Sequence, residues 1–313
     1  MTKIIFMGTP NLAATVFKGI IDDGNYEVIA AVTQPDKPVG RKKVLQPTPV
    51  KQVALDNDIP VYQPEKLSGS DEIKQLIELH ADVLVTAAYG QFLPMSLIDS
   101  VGAAVNVHGS LLPKYRGGAP IQWSIMNGEE KTGITIMYMV KAMDAGDMIA
   151  KAEVKIEDDD TGDTMFDKLS IVGRDLLLKV LPDIVNGTNE RTPQNQDEAT
   201  ISPNISKEQE QIDITDSAIN IHNKVRALNS NPGAYAIING LHTKIWRTEV
   251  ISEENSLEPG TVIERTKKKL VIATGEFALA IKELQPSGKK SMDIASYLNG
   301  IGREIEVGQK IIE

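Results

Sequence analysis

The sequence predicts a doubly wound, Rossmann-like α/β domain with a parallel sheet, followed by a small antiparallel β-barrel of the oligonucleotide-binding (OB-like) type. Three observations predict this. Short, continuously apolar runs rich in Val and Ile alternate with helical patterns through the first half of the chain. A polar stretch then interrupts the pattern, and beyond it strand-like runs recur about every ten residues with Gly, Asn or Pro between them. At 313 residues the chain also exceeds the ~250 residues at which single cores stop growing. The expected division is an α/β domain over 1–187, a linker over 188–208 and a barrel over 209–313.

The first strand, Lys3 to Gly8, runs into "MGTP", which has only part of a dinucleotide-binding glycine pattern. Without G-x-G-x-x-G it reads as a strand-to-helix turn, with Pro10 at the start of a helix over Leu12 to Asp22. The second strand, Glu27 to Thr33, leads to "QPDKPVGRKKVLQPTPVK", from Gln34 to Lys51. Connections of this kind usually span ~2 to 6 residues, so this length, four prolines and Gly40 predict an exposed loop. Lys37, Arg41, Lys42, Lys43 and Lys51 face a single carboxylate there, Asp36. Helices over Pro49 to Asn57 and Ser70 to His80 precede the strand Ala81 to Gly90, and the strands Ala103 to His108 and Gly133 to Val140 follow. A helix over Lys179 to Val185 ends the domain. After the polar stretch come a helix over Ser217 to Asn229 and the runs "AYAIIN", "TKIWRTEV", "TVIER", "KLVIAT" and "FALAIKEL".

Composition excludes several classes. There is no cysteine, so there is neither a disulfide framework nor a thiolate site, and the four histidines, His80, His108, His222 and His242, lack metal-ligand spacing. No metal is expected. The N-terminus lacks a signal-peptide core and no apolar run approaches the ~18 residues of a membrane span, which predicts a cytoplasmic protein without membrane attachment. The net charge of -10 argues against indiscriminate nucleic-acid binding. That charge is uneven: residues 206–313 hold 14 Lys plus Arg against 15 Asp plus Glu, so the first 205 residues carry -9 of it. The basic clusters "RTKKK" (Arg265 to Lys269) and "GKK" (Gly288 to Lys290) sit in the nearly neutral second half.

The chemistry concentrates in "NVHGSLLPKYRGGAP", from Asn106 to Pro120, at the apolar end of a strand. Residues two apart in a strand share a face, so Asn106 and His108 project together where open α/β sheets bind ligands. Asp144 follows the next apolar strand, in "KAMDAGDMIA". Such a trio suits addition of an amine to a carbonyl. An amide N–H steadies the oxygen as it gains charge, an imidazole moves a proton near neutral pH, and a carboxylate favours the imidazolium. The plainer reading is a turn former beside ordinary polar side chains. Ser110 is not a hydrolase nucleophile, since no G-x-S-x-G elbow occurs.

"NVHGSLLPKYRGGAPIQWSI", followed by "TGITIMYMVKAMDAGDMI", closely resembles the folate-dependent formyltransferases. With "MGTP", "TQPDKPVGRKK", "AYGQFLP" and "LQPSGKK" in family order, the resemblance runs from Ile4 to about Lys290 and points to the long members acting on tRNA. It implies a catalytic domain over 1–187 and transfer of formyl from 10-formyltetrahydrofolate to the methionine amine of initiator methionyl-tRNA, without a metal; a monomer is expected. It further implies Asn106, His108 and Asp144 as catalytic residues, Ser110, Leu111, Leu112 and Pro113 as the folate-contacting segment, and Arg41, Lys42 and Lys43 as tRNA contacts. The rival readings are a formyltransferase for an amino sugar nucleotide and an inactive folate- or RNA-binding module. The chain departs from the family at Ile214, where an aromatic is usual, and around "LNSNPGAY".

Overall fold

The computed structural model describes residues 1–39, 44–253 and 255–313. In chain order the elements are β1 (Thr2–Gly8), α1 (Asn11–Asp23), β2 (Tyr26–Val32), β3 (Lys37–Val39), β4 (Val44–Gln46), α2 (Pro49–Asp56), β5 (Val61–Tyr62), α3 (Asp71–Glu78), β6 (Val83–Ala87), α4 (Met95–Ile98), β7 (Ala103–His108), α5 (Pro120–Met126), β8 (Lys131–Tyr138), β9 (Met148–Lys155) and α6 (Gly162–Asn186). These are followed by α7 (Lys207–Glu210), α8 (Ala218–Ala227), β10 (Tyr235–Ile238), β11 (Leu241–Ile251), β12 (Val262–Arg265), β13 (Leu270–Ala273), β14 (Ala278–Pro286), β15 (Met292–Asp293) and α9 (Ile294–Leu298). No helix among the described residues is long and apolar enough to cross a membrane.

Two compact units result, and they are not contiguous in sequence. The first comprises residues 1–120, 131–155 and 166–203, and the second comprises 121–130, 156–165 and 204–313. Residues 188–203, polar enough to read as linker, thus belong to the first unit. Their backbone is bonded there: Thr192 and Met148 exchange N–H to O bonds of 2.8 Å, Arg116 N–H donates to Thr200 O at 2.9 Å, and Ser202 N–H donates to Arg116 O at 2.7 Å. Composition signals a shortage of apolar anchors, but a polar segment packs well once its hydrogen-bonding groups are satisfied.

The first unit carries a seven-stranded sheet in the order β5-β2-β1-β6-β7-β8-β9. The five strands from β5 to β7 are parallel, as the alternating pattern predicts. The β7–β8 and β8–β9 pairs are antiparallel, so one side of the sheet departs from the all-parallel expectation. Strand β9 has no counterpart in the sequence reading, because beyond Met148 it has no buried position and offers no apolar run. From β1 the chain adds β2 and β5 on one side and then β6 and β7 on the other, so the C-terminal ends of β1 and β6 flank that switch in strand order.

Gly8 closes β1 for a packing reason. A Cβ there would stand 2.5 Å from Ala13 Cβ and 2.7 Å from Ala87 O, so α1 and β6 approach the turn too closely for any side chain. Pro10 occupies the N-cap of α1 rather than its first helical position. The helix buries Leu12, Ala13, Val16, Phe17 and Ile20, and the Phe17 ring stacks on Phe6 of β1 at 4.7 Å between centroids. Thr48 caps α2 by accepting the Lys51 N–H, with Pro49 next. Helix α6 is far longer than the Lys179 to Val185 segment read from sequence. Its Gly173 lies against β7 and β8: a Cβ would be 3.0 Å from Val107 Cγ1 and 3.6 Å from Ile134 Cδ1.

The second unit carries the antiparallel sheet β10-β11-β14-β13-β12, with β15 paired to β14. Its two edges are joined by the segment 309–312. Ile312 bridges Ile238 at the end of β10, Lys310 bridges Thr261 beside β12, and Val262 N–H donates to Gln309 O at 2.9 Å. That closes the sheet on itself, which removes exposed edges as a barrel does. Inside lie Ile221 and Val225 of α8, Ile245, Leu270, Ile272, Ile281 and Leu284. Ile214, the departure from the usual aromatic, is 4% exposed and belongs to this core.

Candidate active site

Strand β7 delivers the first two residues. Parallel pairing sets Thr86 of β6 beside Asn106, and the Thr86 hydroxyl donates to Asn106 Oδ1 at 2.8 Å. With the oxygen held, the Asn106 amide NH2 points the other way and has no hydrogen-bond partner among the described residues. Val107, between the two polar residues, faces α6 at Gly173.

His108 is 5% exposed. Its Nε2 lies 2.9 Å from the carbonyl oxygen of Tyr115, an acceptor, so Nε2 carries the proton and Nδ1 bears the lone pair of the neutral ring. That Nδ1 is 3.7 Å from Asp144 Oδ2, too long for a hydrogen bond but close enough for strong charge coupling. Asp144 Oδ2 accepts the Gly117 N–H at 2.8 Å. The structure therefore brings His108 and Asp144 together across 36 residues, and the loop 115–117 touches both.

The segment Ser110 to Pro113 is a tightly fixed turn. Ser110 is fully buried, and its hydroxyl donates to Lys114 O at 2.6 Å. Thr135 of β8 donates to Ser110 O at 2.7 Å and accepts the Leu112 N–H at 3.1 Å, while Lys151 Nζ of β9 donates to Leu112 O. Leu112 is buried with Met137 and Met148. The Ser110 hydroxyl and the Leu112 side chain are thus committed to protein contacts, and Leu111 keeps partial exposure.

The loops after β1, β2 and β6 are tied together at the same ends of the strands. Thr9 Oγ1 donates to Tyr89 O at 3.0 Å, and Gln34 Nε2 donates to Tyr89 O at 3.2 Å. The Tyr89 hydroxyl is buried without a partner among the described residues, and burial, then the Glu72 carboxylate, pushes it up to about 12.

Arg41, Lys42 and Lys43, the expected tRNA contacts, lie outside the described residues. Strands β3 and β4 pair antiparallel on either side of them, with Val44 and Leu45 exposed. Lys51 is not a spare cation: its Nζ is 2.6 Å from Asp36 Oδ2. Hydrogen bonds from Lys51 and then Gln63 hold the Asp36 carboxyl below its usual range. In the second unit the basic clusters also divide. Arg265 donates to Leu298 O and Arg303 O, and Lys269 pairs with Glu264 at 2.6 Å. Lys267, Lys268, Lys289 and Lys290 have no ion pair among the described residues.

Sequence reasoning missed Thr86, Arg116 and Gln194. Arg116 is buried, and its Nε and Nη2 donate to Gln194 Oε1 at 3.0 and 2.7 Å, with Nη1 donating to Gln196 Oε1 at 2.9 Å. The register of β6 on β7 is the signal that finds Thr86, and it exists only once the strands are paired. Among the described residues no group of three or more His, Asp or Glu is placed to hold a metal ion.

An amide donor and an imidazole at the end of β7, with a carboxylate in the loop after β8, are groups suited to group transfer. The chain belongs to the formyl transferase family: residues 2–181 match its formyl transferase domain and residues 204–302 match its C-terminal domain. It is 58% identical over 308 residues to the methionyl-tRNA formyltransferase of Streptococcus uberis, covering 98% of each chain. It is 55% identical to that of Pediococcus pentosaceus, covering 100% of this chain and 98% of the relative. Among solved structures, the N-formyltransferase of Helicobacter canadensis, in complex with folinic acid and dTDP-3-aminofucose, aligns with a TM-score of 0.68 at 20% identity, over 91% of this chain and 100% of that one. That last likeness is one of fold.

Proposed function

We propose that this chain transfers the formyl group of 10-formyltetrahydrofolate to the α-amino group of methionine on initiator methionyl-tRNA, preparing that tRNA for translation initiation. The observation that carries this reading is the 58% identity, over 98% of both chains, with a protein named methionyl-tRNA formyltransferase. It covers the C-terminal domain as well as the α/β domain, whereas the amino-sugar complex noted above stands at 20%.

Asn106, His108 and Asp144 are the catalytic residues in this reading. The Asn106 amide NH2, left without a protein partner, donates to the formyl oxygen as the neutral amine adds and charge develops. The new bond joins the methionine nitrogen to the formyl carbon, and the bond from that carbon to the folate nitrogen breaks. The proton lost by the amine passes through His108 Nδ1 to the departing folate nitrogen. Asp144, 3.7 Å away, stabilises the imidazolium formed in between. The folate is held along Ser110 to Pro113 through Leu111 and backbone groups, because Ser110 Oγ and the Leu112 side chain are already engaged. Arg41, Lys42 and Lys43 grip the acceptor end of tRNA, and Lys267, Lys268, Lys289 and Lys290 supply phosphate contacts that position without reading sequence. The enzyme acts as a cytoplasmic monomer.

The test is formyl transfer from 10-formyltetrahydrofolate, with charged initiator tRNA and an amino sugar nucleotide as parallel acceptors. Formyl-methionyl-tRNA is the expected product. Formylation of the sugar nucleotide alone would overturn the reading.

A further inference from the structure

Asp144 sits in a left-handed backbone conformation, φ +50°, which aspartate tolerates better than most residues with a Cβ. Its carboxylate is tethered on one side by the Gly117 N–H. Its backbone is tethered on the other by Gln194, whose Nε2 donates to Asp144 O at 2.8 Å and to Gly146 O at 2.7 Å. We propose that Gln194 is a positioning residue, setting the distance of Asp144 from His108, and that residues 192–202 form a strap across the site. The proposal rests on the assignment of Asp144 made above.

The bonding of Gln194 explains why an amide is needed. The side chain is 7% exposed and uses all of its capacity: both Nε2 protons go to carbonyls of the Asp144 loop, and Oε1 accepts two bonds from Arg116. Glutamate at this position would accept from Arg116 at least as well and could donate to neither carbonyl. The strap also reaches the imidazole. Ser202 Oγ donates at 2.9 Å to the Tyr115 carbonyl that His108 Nε2 engages, and Thr200 Oγ1 accepts the Tyr115 N–H at 2.9 Å. Both members of the His108–Asp144 pair are therefore referenced to one segment.

Gln194→Glu separates positioning from mere satisfaction of a buried guanidinium. It should stay folded, with Arg116 paired, while lowering kcat about 10- to 100-fold, with the KM for folate changed less than about twofold. A Gln194→Glu protein with wild-type kcat overturns the proposal. If that variant does not fold, Arg116→Met with Gln194→Met removes the buried cation and the amide together, and wild-type kcat there overturns it equally. A readout without turnover keeps the two readings apart: at one fixed pH, the ring nitrogen resonances of His108 should move in Gln194→Glu in the sense they move in Asp144→Asn. An unmoved His108 overturns the positioning role, whereas a wild type that formylates no methionyl-tRNA overturns only the substrate reading.

Discussion

Asp144→Asn removes a charge while keeping the shape of the site. The asparagine retains an oxygen to accept the Gly117 N–H, so the loop loses no bond that orients it. What disappears is the attraction between a carboxylate and an imidazolium 3.7 Å apart. At an effective dielectric of about 20 that attraction is about 4 kcal/mol, a ceiling for a pair reached by some solvent. The Asp144 side chain is 17% exposed, and half to two-thirds of the ceiling, about 2 to 3 kcal/mol, is the expected loss in the transition state. With tenfold in rate per 1.36 kcal/mol, single-turnover formyl transfer should slow by about 30- to 150-fold. The assay is rapid-quench transfer of labelled formyl to methionyl-tRNA at saturating folate, with folate affinity measured separately and expected to hold. A folded Asp144→Asn protein within about threefold of wild type would refute the electrostatic role, since no smaller effect is compatible with a charge at that distance from the proton carrier.

Asn106→Ala removes the one amide aimed away from Thr86 and should cost about 10² to 10³ in kcat with little change in folate binding, read from steady-state kinetics. Arg41→Ala should raise the KM for methionyl-tRNA, leave folate binding intact and lower the salt slope of tRNA binding by about one, measured by titration across ionic strengths. Gly8→Ala forces a Cβ to within 2.5 Å of Ala13 Cβ and 2.7 Å of the Ala87 carbonyl, and should destabilise the fold by about 1 to 3 kcal/mol in urea denaturation. His222, bonded to Thr248 at 2.8 Å, has its imidazole pushed below the ordinary histidine value, first by burial and then by Arg226. The unfolded chain then binds more protons near pH 6, so this contribution is present above about pH 6.5 and is lost as pH falls towards the depressed folded value. His222→Gln should flatten the fall in melting temperature between pH 7 and 5, and an unchanged slope would remove the explanation.

What was legible in the sequence is what repeats locally. The parallel strands β1, β2, β6 and β7 and helices α1 to α3 follow from alternation and caps, as does the shared face of Asn106 and His108 two residues apart, whereas the two-residue β5 has no signal of its own. Helix α6 is only partly legible, since the sequence reading covers Lys179 to Val185 of a helix that runs from Gly162 to Asn186. Strand β9 is hidden because it buries only Met148, and the antiparallel pairing of β8 is a matter of connection rather than composition. The stretch 188–203 looked like a tether because it is polar, yet Gln194 is buried with every hydrogen-bonding group used.

The same division holds for the site. Residue chemistry and motif order by themselves determined the family, and marked an amide, an imidazole and a carboxylate as candidates with two of them at one strand end. Tertiary structure decided which nitrogen of His108 faces Asp144, that Thr86 turns the Asn106 amide, and that Ser110, Lys51, Arg265 and Lys269 are already engaged. The reason is one of range. Periodicity and capping depend on residues a few places apart, whereas the partner of a polar atom here lies 20, 36 or 50 residues away and is chosen only when strands register and loops close over them.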